Sequence, residues 1–525
     1  MCLCDELPRA RHWRLRRKRC TMNGDRNNDE GRGNGGGRDN GPSWWQYGAA
    51  AAAITATAGT LYYLTRQPQL ETTTSTPSTT STTTVAQSTQ KRRGVLSTLA
   101  ELLEPLANNS TNMEDAISSS SVPVSPNITN LNGLLADIYV RYIALKKEDF
   151  RLHYRVFTEV FSQIHNNMKE VDKYYNRYSS NIQFAGSHYD RLRIKKPDEF
   201  DVDIVIDLPV NLRRDRNLNE SDIILEPNFP GFVQLRAGVQ YQKLLVRDGV
   251  DCLINRTAHE WLDEKNYILR SKFTNWFKSV GNRALNRFPR RENLPACSVE
   301  GVYYTIRTSE SGPAWTIIIE APNFKLDVDL VPALRFPEDR CIEANVIRPI
   351  PPECRREYWM VVPKPNKGGN TIHDEKRSWR IALQDQEKQF LNNTYQLRQT
   401  IRFLKKFRDS QNMNGIASYY IKTLFLLEYV QLQETHQSHM WQTSDMATLF
   451  KHMLRKFYMA LDKKEIPYFW NRRHNLIGNI SQGLINEYKS KVQQLLSVLD
   501  DPYNYKQVAK YLLDDHEYQT YRWLL

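Results

Sequence analysis

The segment EFDVDI, residues 199–204, alternates acidic and apolar side chains without a break. Because successive side chains of a β-strand point to opposite faces, this alternation predicts a strand that carries Glu199, Asp201 and Asp203 on one face, about 6–7 Å apart. A solvated strand face usually mixes basic, hydroxyl and acidic residues, since like charges at neighbouring positions repel one another. The segment therefore indicates either a solvated strand face or a carboxylate site for hard cations such as Mg²⁺ or Mn²⁺.

A second acidic strand is predicted further along the chain. Apolar alternation at residues 302–308 and 315–320 predicts a hairpin, and residues 324–330 are predicted to form the strand that follows it. Asp327 and Asp329 share one face of that strand, and either could supply a third carboxylate, because spacing alone does not choose between them. Two cations held in this way would bind a nucleotide triphosphate and an attacking hydroxyl, and Asp329 could accept the hydroxyl proton as a general base.

Gly186 and Ser187 stand where the strand before the acidic segment is predicted to end. A glycine at that place allows backbone N–H groups to approach a phosphate, and the serine hydroxyl adds one donor. The pair alone identifies nothing, because turns of every kind contain Gly-Ser. Its position twelve residues before Glu199 makes it part of a candidate phosphate and metal site.

The chain of 525 residues divides into five predicted parts. Residues 1–42, basic and Gly-rich, are predicted to be a disordered tail, residues 43–66 a candidate anchor, and residues 67–130 a Ser/Thr-rich linker. Residues 131–385 begin with apolar side chains at helical spacing and continue with strands, whereas residues 386–525 are helical throughout. This order predicts an α+β fold with a mixed β-sheet lobe, a long N-terminal spine helix and a C-terminal helical lobe.

The candidate anchor contains the uncharged segment WWQYGAAAAAITATAGTLYYL, with aromatic residues at both ends and about the length that crosses a bilayer. Alanine, glycine and threonine are only weakly apolar, so a soluble helix or part of an organelle-targeting segment is the alternative. More basic residues precede the segment than follow it, which by the positive-inside tendency opposes a cytosolic domain after it. We expect a cytoplasm-facing chain, either without a membrane anchor or anchored as in the mitochondrial outer membrane.

The net charge and the cysteine content indicate which kind of partner, compartment and metal to expect. The formal net charge of +13 at pH 7 favours a polyanionic partner, although such a charge also serves solubility alone. The seven cysteines are scattered, and no Cys/His cluster has the spacing of a structural zinc site. We therefore expect a reducing compartment and no zinc.

Taken together, these motifs resemble the nucleotidyltransferase core of the cyclic GMP-AMP synthases and their insect receptor relatives. The shared features are Gly-Ser, a short gap, Glu-Phe-Asp-Val and a later Val-Asp on an apolar strand. The resemblance covers residues 131–525 and implies a two-lobed nucleotidyltransferase fold. Further similar segments are YWMVVPK at 358–364, Trp379-Arg380 with Glu387 as a nucleotide-contacting helix start, SYYIKT at 418–423, and Tyr468-Phe469 followed by Asn475-Leu476.

The resemblance also implies a role for each matching residue. Glu199, Asp201 and Asp329 would be catalytic and would bind two Mg²⁺ or Mn²⁺ ions, and Ser187 beside Gly186 would contact a triphosphate. Ordinary core packing is the alternative for Tyr419, one of the residues assigned to the nucleotide. The implied nucleotide site is lined by Arg380, Glu387, Arg402, Ser418, Tyr419 and Lys422.

Two departures from the family's pattern bear on its ligands. Ala185 stands where the DNA-sensing synthases have a hydroxyl residue before Gly-Ser, which bears on the choice of purine. The Cys/His insertion that forms their zinc thumb is missing between Asn393 and Arg402. The second departure makes the chain more similar to the insect receptors that respond to double-stranded RNA.

A basic segment at residues 265–291 is the candidate surface for such an activator. Basic and apolar residues interleave there, which predicts a helix whose basic face could follow a phosphate backbone, with a solvated charged face as the alternative. In the resemblance, this segment and the N-terminal helix form one ligand surface, and reading an A-form duplex needs only phosphate and 2′-hydroxyl contacts. The candidate contacts are Arg270, Lys272, Lys278, Arg283 and Arg287.

The resemblance thus implies an innate immune sensor that makes a cyclic dinucleotide, cyclic GMP-AMP, from ATP and GTP when double-stranded RNA activates it. The alternative is a membrane-anchored, non-catalytic nucleotide-binding adaptor resembling the mitochondrial dynamics proteins, which share the fold but have lost the acidic triad. Glu199, Asp201 and Asp329 are all present in this chain, which favours the enzyme.

Overall fold

A computed structural model describes the chain in seven stretches, residues 128–212, 222–246, 250–309, 314–340, 347–366, 372–392 and 394–525. The predicted tail, the candidate anchor and the linker up to residue 127 lie outside these stretches, as does the expected hairpin turn at residues 310–313. Within the described stretches, no helix combines the length and the apolar composition that crossing a bilayer requires.

Three helices in succession form the predicted spine: α1, Leu131–Ile138, α2, Lys147–Val171, and α3, Lys173–Tyr178. A π-helical turn, Tyr139–Ile143, follows α1, and the backbone is extended at Ala144 directly after it. The spine is therefore divided and is not one continuous helix. The apolar side chains at helical spacing are buried, as the sequence predicts. Those of α1 and α2 include Leu134, Leu135, Ile138, Phe157, Val160, Phe161 and Ile164.

Among the described residues, the sheet of the first lobe has eleven strands. They are β1 (Ser179–Ala185), β2 (Glu199–Ile206), β3 (Ile223–Phe229), β4 (Phe232–Ala237), β5 (Arg290–Arg291), β6 (Leu294–Val299), β7 (Val302–Ser309), β8 (Trp315–Ala321), β9 (Phe324–Pro337), β10 (Tyr358–Val362) and β11 (Ser378–Ala382). The order is β3-β4-β11-β10-β9-β8-β7-β6-β5, while β2 pairs in parallel with β9 and antiparallel with β1. The mixed sheet and the β7-β8-β9 strands confirm the predicted strand pattern.

Several helices interrupt the strands of this lobe, where the sequence pattern predicts mainly strand. They are α4 (Gly186–Tyr189), α5 (Val239–Gln242), α6 (Val250–Glu260), α7 (Arg270–Leu285) and α8 (Ile372–Arg377), with 3₁₀ turns at Lys243–Leu245, Glu338–Arg340 and Pro352–Cys354. The helix α7 lies within the basic segment for which the sequence predicts a helix. Its apolar side chains Phe273, Phe277 and Val280 are buried.

The second lobe is helical, as predicted. It contains α9 (Gln384–Leu391), α10 (Tyr395–Ser410), α11 (Ser418–Glu434), α12 (Met440–Thr443), α13 (Met446–Asp462), α14 (Gln482–Asp500), α15 (Val508–Leu512) and α16 (Asp515–Tyr521), the hairpin β12 (Pro467–Tyr468) and β13 (Asn471–Asn475), and 3₁₀ turns at Tyr505–Gln507 and Arg522–Leu524. The resemblance places Trp379 and Arg380 at a helix start, which is wrong. Both lie in β11, because that strand pairs with β4 and β10 before α9 begins at Gln384.

The two faces of the sheet differ in what they carry. Phe184 and Phe200 contact Phe157 of α2, with ring centroids 5.3 Å and 5.2 Å apart, so this face is part of the main core. Strand alternation directs Asp201 and Asp203 to the opposite face, away from the spine. The acidic residues therefore lie on the side of the sheet where a ligand does not compete with the spine helices.

Candidate active site

Parallel pairing of β2 with β9 brings two acidic strands side by side. Their register sets Asp201 opposite Asp329 and Glu199 opposite Asp327. Glu199, Asp201 and Asp329 each offer one carboxylate oxygen, and these oxygens all lie within 4.8 Å of one another. Asp327 instead lies 3.2 Å from the ammonium of Lys325. The geometry thus brings together the three residues that the resemblance assigns to metal, and it favours Asp329 over Asp327.

Burial makes the charged forms of Asp201 and Asp329 unfavourable. Asp201 and Asp329 are only 7% and 3% exposed. Burial, followed by the charges of Asp329 and Asp203, raises the pKa of Asp201 well above its ordinary value. Burial also raises the pKa of Asp329 to about 7, and Glu199 adds to this rise while the hydrogen bond from Thr316 opposes it. A bound cation would reverse these shifts, since it favours the ionised carboxylates.

The donor set fits a divalent metal ion. Glu199, Asp201 and Asp329 offer only carboxylate oxygens, which are the ligands that Mg²⁺ and Mn²⁺ prefer. One of these oxygens, Oδ1 of Asp201, is buried and has no hydrogen-bond partner among the described residues. A buried acceptor without a donor is unfavourable, and a cation at that place would satisfy it.

Gly186 brings the end of β1 against this carboxylate cluster. The strand ends at Ala185, which pairs with Asp201, and Gly186 follows with a φ of +80°. A Cβ atom at Gly186 would overlap the Asp201 carboxylate, so no larger residue fits this turn. Ser187 is half-buried in the following turn, where its carbonyl accepts a hydrogen bond from the N–H of Leu192 at 2.7 Å. The Gly-Ser pair therefore lies directly beside the acidic cluster, as the sequence predicts.

Three of the residues that the resemblance assigns to the nucleotide meet in one buried cluster. Glu387 accepts a hydrogen bond from the Tyr419 hydroxyl at 3.2 Å and lies 3.2 Å from the ammonium of Lys422. Two further residues complete the cluster: Trp470 Nε1 donates to Glu387 at 2.8 Å, and Asp190 lies 2.7 Å from the Lys422 ammonium. We call these five residues the interlobe cluster, because Asp190 comes from the sheet lobe and the others from the helical lobe.

Arg380 lies between aromatic rings at the edge of this cluster. Its guanidinium carbon is 4.2 Å from the ring centroid of Tyr468 and 5.2 Å from that of Phe232. The ring of Tyr468 in turn lies 6.3 Å from that of Tyr419. A Cβ atom at Gly231 would come 3.0 Å from the guanidinium, so the backbone closely approaches Arg380 there. The side chain is held in place by these contacts.

Ser418 and Arg402 have other partners. The Ser418 hydroxyl accepts a hydrogen bond from Arg408 at 2.7 Å, one residue before Tyr419 of the interlobe cluster. Arg402 is buried and donates to the hydroxyl of Tyr139, in the π-helical turn of the spine. The structure therefore places Ser418 beside the interlobe cluster and Arg402 against the spine.

The sequence interpretation missed three residues of this region. Asp190 and Trp470 belong to the interlobe cluster, and Arg193 forms ion pairs with Glu199 and Asp198. For Asp190 and Arg193 the available signal is their position in the loop that follows Gly-Ser. For Trp470 the available signal is its position directly after Tyr468-Phe469, a pair that the resemblance includes. Its contact with Glu387 joins residues far apart in the sequence, so the sequence pattern does not reveal it.

The basic residues chosen for nucleic acid are spread along α7 and the turn after it. Arg270 donates to the carbonyl of Pro363 at 3.5 Å, Lys272 donates to that of Leu262 at 2.6 Å, and Lys278 is half-buried. The exposed side chains Arg283 and Arg287 reach back to the end of α2. There they lie 2.8 Å from Asp172 and 2.7 Å from Glu170, respectively. Arg283 and Arg287 are thus the exposed members of the set that pair with acidic residues near the end of α2, and Lys272 is exposed as well.

Comparison with known protein families agrees with this arrangement. Residues 188–393 match the Mab-21 protein nucleotidyltransferase domain. Residues 396–494 match the Mab-21 protein HhH/H2TH-like domain. The first match contains the acidic cluster, and the second contains Tyr419, Lys422 and Trp470 of the interlobe cluster.

Curated relatives cover most of the chain. The chain is 28% identical over 398 residues to a cyclic GMP-AMP synthase-like receptor of Ctenocephalides felis, which covers 75% of this chain and 89% of the relative. It is 28% identical over 392 residues to the receptor of the same name in Aethina tumida, covering 74% and 92%. For the Tribolium castaneum receptor the identity is 27% over 395 residues, covering 74% and 94%. These alignments span nearly the whole length of each relative.

Proposed function

Because the chain belongs to the Mab-21 nucleotidyltransferase family, we propose that it joins nucleotides from ATP and GTP into a cyclic dinucleotide, cyclic GMP-AMP. The proposal rests on one observation, the approach of carboxylate oxygens of Glu199, Asp201 and Asp329 to within 4.8 Å of one another. The relatives named as cyclic GMP-AMP synthase-like receptors support this product and a role as an innate immune sensor.

The acidic cluster supplies the groups that nucleotidyl transfer needs. Two Mg²⁺ or Mn²⁺ ions held by Glu199, Asp201 and Asp329 would lower the pKa of the attacking hydroxyl and offset the charge of the leaving pyrophosphate. Asp329, which lies beside the proposed metal position, accepts the hydroxyl proton. The hydroxyl oxygen bonds to the α-phosphorus while the bond from that phosphorus to the pyrophosphate oxygen breaks, and its electron pair leaves with pyrophosphate. Backbone N–H groups near Gly186 and the Ser187 hydroxyl donate to the triphosphate.

The nucleotides bind between the lobes in this proposal. Lys422 provides a buried positive charge, and Tyr419 provides an aromatic face for a purine ring. Arg380, held between Tyr468 and Phe232, adds a second positive charge. Glu387 connects these groups, since it contacts Lys422, Tyr419 and Trp470. Ser418 adjoins this set, whereas Arg402, which the resemblance also assigns to the nucleotide, contacts Tyr139 of the spine.

The direct test is synthesis by the purified chain. We expect a product with the mass of cyclic GMP-AMP when the chain is incubated with ATP, GTP and Mn²⁺ in the presence of duplex RNA. Asp201→Asn should reduce product formation at least a thousandfold, because it removes a metal ligand while preserving shape. Asp462→Asn, at an exposed carboxylate paired with Lys489, is the matched control and should retain activity. Undiminished synthesis by Asp201→Asn would refute the metal role.

A non-catalytic adaptor does not fit these findings. The matched domain is a nucleotidyltransferase, and the acidic triad that the adaptors lack is assembled in this chain. The chain is therefore a nucleotidyltransferase.

Double-stranded RNA is our proposed activator. Arg283 and Arg287 are exposed, and their ion pairs with acidic residues of the spine are of a kind that contributes little, so phosphates can replace the acidic partners. Binding of duplex RNA should weaken steeply as the salt concentration rises. Arg287→Ala should reduce the slope of log affinity against log salt concentration by about one. Arg256 is an exposed arginine of α6 that pairs with Glu260 of the same helix. Arg256→Ala should leave the salt dependence of RNA binding unchanged. A salt-independent affinity would contradict the proposal.

We also propose that the domain faces the cytoplasm, with association to a membrane, if any, through residues 43–66. A reservoir of ATP and GTP and access to duplex RNA both favour that compartment. The test is fractionation of cells that express the full chain, compared with a variant that lacks residues 43–66. Equal membrane recovery of the two would exclude the anchor.

A further inference from the structure

The loop between β1 and β2, residues 186–198, carries an arginine onto a proposed metal ligand. The guanidinium of Arg193 forms ion pairs with Glu199 and Asp198, and its Nε donates to the carbonyl of Lys196 at 3.0 Å. A forked guanidinium bound to several oxygens at once is well held. Because it occupies an oxygen of Glu199, it competes with any cation for that ligand.

The same loop is attached to the C-terminal helix α16 by Lys195, the next charged residue after Arg193. The ammonium of Lys195 lies 3.0 Å from Asp514 and 2.7 Å from Glu517. These two acids form the capping box of α16, in which each side chain accepts a hydrogen bond from the backbone of the other. Glu517 is held further by Lys406 of α10. Asp514 and Glu517 are therefore held in place by contacts that do not involve Lys195.

The backbone of the loop adopts an unfavourable conformation at two residues, which requires contacts that stabilise it. Arg191 and Lys195 both have positive φ values, 57° and 65°, in a region that residues with a Cβ atom rarely adopt. The N–H of Lys195 donates to the carbonyl of Ile143 at 3.2 Å, and the ammonium of Lys405 donates to that of Leu192 at 2.7 Å. Contacts from outside the loop thus maintain it.

Lys195 lies inside the matched nucleotidyltransferase domain, and its two acidic partners follow the second matched domain. The HhH/H2TH-like match ends at residue 494, whereas Asp514 and Glu517 follow it by about twenty residues.

We propose that the contact of Lys195 with Asp514 and Glu517 is a latch that keeps Arg193 on Glu199 and so weakens metal binding until the loop moves. This inference rests on the proposed function of Glu199, Asp201 and Asp329 as metal ligands. When the latch opens, the loop carries Arg193 away and the Glu199 carboxylate becomes available to a divalent cation. Lys195, Asp514 and Glu517 are positioning residues, since they act through Arg193.

The test measures Mn²⁺ binding to the full chain without nucleotide, by the loss of the free-ion electron paramagnetic resonance signal. Arg193→Met should bind Mn²⁺ about tenfold more tightly, because the competing ion pair is gone. Lys195→Met should bind about threefold more tightly, a smaller gain than for Arg193→Met, because an ion pair that is partly exposed to solvent contributes less. In the double variant Arg193→Met/Lys195→Met the affinity should equal that of Arg193→Met, since the latch acts only through Arg193.

Matched variants separate the loss of the latch from the mere loss of a positive charge. Lys196→Met makes the same charge change one position later, at an exposed lysine for which the described residues show no ion pair, and should match the wild type. Lys195→Arg preserves the charge and should also match it. Should Arg193→Met fail to fold, as judged by thermal unfolding, Arg193→Lys should still bind Mn²⁺ more tightly, since an ammonium cannot bridge both acids in the same forked geometry.

A second readout follows the loop itself. Hydrogen exchange of the peptide that contains residues 186–198 should speed up at least threefold in Lys195→Met but not in Lys196→Met, because the amide of Lys195 loses its protection. Equal Mn²⁺ affinity of Arg193→Met and wild type would overturn the proposal. An effect of Lys195→Met that persists in the Arg193→Met background would also overturn it.

Failure of the latch and failure of the proposed function give different results. If Mn²⁺ binds in a manner abolished by Asp201→Asn but equally in wild type and the loop variants, the metal site stands and the latch is wrong. If no Mn²⁺ binding depends on Asp201 in any variant, the metal site itself is wrong and the latch falls with it.

Discussion

Buried carboxylates occur in two places in this molecule, and they are balanced in different ways. In the interlobe cluster, Asp190 and Glu387 both lie within ion-pair distance of the Lys422 ammonium, at 2.7 Å and 3.2 Å. In the acidic cluster, Asp201 and Asp329 face each other across paired strands without a lysine or arginine in contact with Asp201 among the described residues. Lys422 thus neutralises the first cluster, whereas in the second the pairing of Arg193 with Glu199 leaves Asp201 without a basic residue in contact among the described residues.

The pKa values reflect this difference. Although burial lowers the pKa of Lys422, the carboxylates of Asp190 and Glu387 raise it on balance, so the lysine stays charged. Burial raises the pKa of Glu387 to about 7, against the lowering effects of Lys422 and Trp470. For Asp201, burial and neighbouring acids act in the same direction. A buried group of like charges is stable only if something from outside neutralises it, which is what a metal ion or protons would do.

Removal of the internal cation should be the most damaging change. Lys422→Met leaves Asp190 and Glu387 buried without a counter-charge, and we expect the free energy of unfolding to fall by about 3–5 kcal/mol. Urea denaturation measures this loss. Lys489→Met, which breaks an exposed ion pair with Asp462, should leave the stability nearly unchanged.

The double variant Lys422→Met/Glu387→Gln sharpens the result for Lys422. It removes one of the stranded carboxylates and should recover part of the loss. If Lys422→Met were no more harmful than Lys489→Met, the interlobe cluster would not be balanced by its lysine.

A smaller loss of stability is expected for a substitution directly beside the acidic cluster. Gly186→Ala places a Cβ atom onto the Asp201 carboxylate at a positive φ, and we expect about 2–4 kcal/mol of destabilisation together with loss of metal binding. Gly301→Ala is the matched control, since Gly301 also has a positive φ but a Cβ there meets nothing within 4 Å. It should lose only about 1–2 kcal/mol. Equal losses in the two variants would mean that the overlap with Asp201 is easily relieved.

The acidic cluster was predictable as far as its pattern is local. Strand alternation is a property of neighbouring residues, so the direction of Glu199 and Asp201 followed from five consecutive positions. The choice between Asp327 and Asp329 was not local, because it depends on the parallel register of β2 with β9, more than a hundred residues away. The resemblance supplied that choice, and the register gives its physical basis.

The interlobe cluster shows where sequence interpretation ends. Tyr419 and Lys422 lie on one helix, but the contact of Lys422 with Asp190 and that of Glu387 with Trp470 join segments far apart in the chain. No periodicity reveals such contacts. The same applies to Arg402, whose contact with Tyr139 reaches the spine. Trp379 and Arg380 were misplaced at a helix start, because the pairing of β11 with two distant strands decided their structure.

The smallest change in stability that we predict is for Asp201→Asn, and it has the opposite sign to the effects of Lys422→Met and Gly186→Ala. The pKa of Asp201 is raised in the folded chain, so between its ordinary value and the raised value the folded state binds more protons than the unfolded state. Stability of the metal-free chain then falls as pH rises through that window. Asp201→Asn removes the ionisation and should stabilise the metal-free chain by roughly 1–3 kcal/mol at pH 8, with little gain at pH 4. Urea denaturation in EDTA across this range measures the gain. Because Asp462→Asn should show no such pH dependence, a pH-independent or negative effect of Asp201→Asn would mean that the acidic cluster is already neutralised by the protein itself.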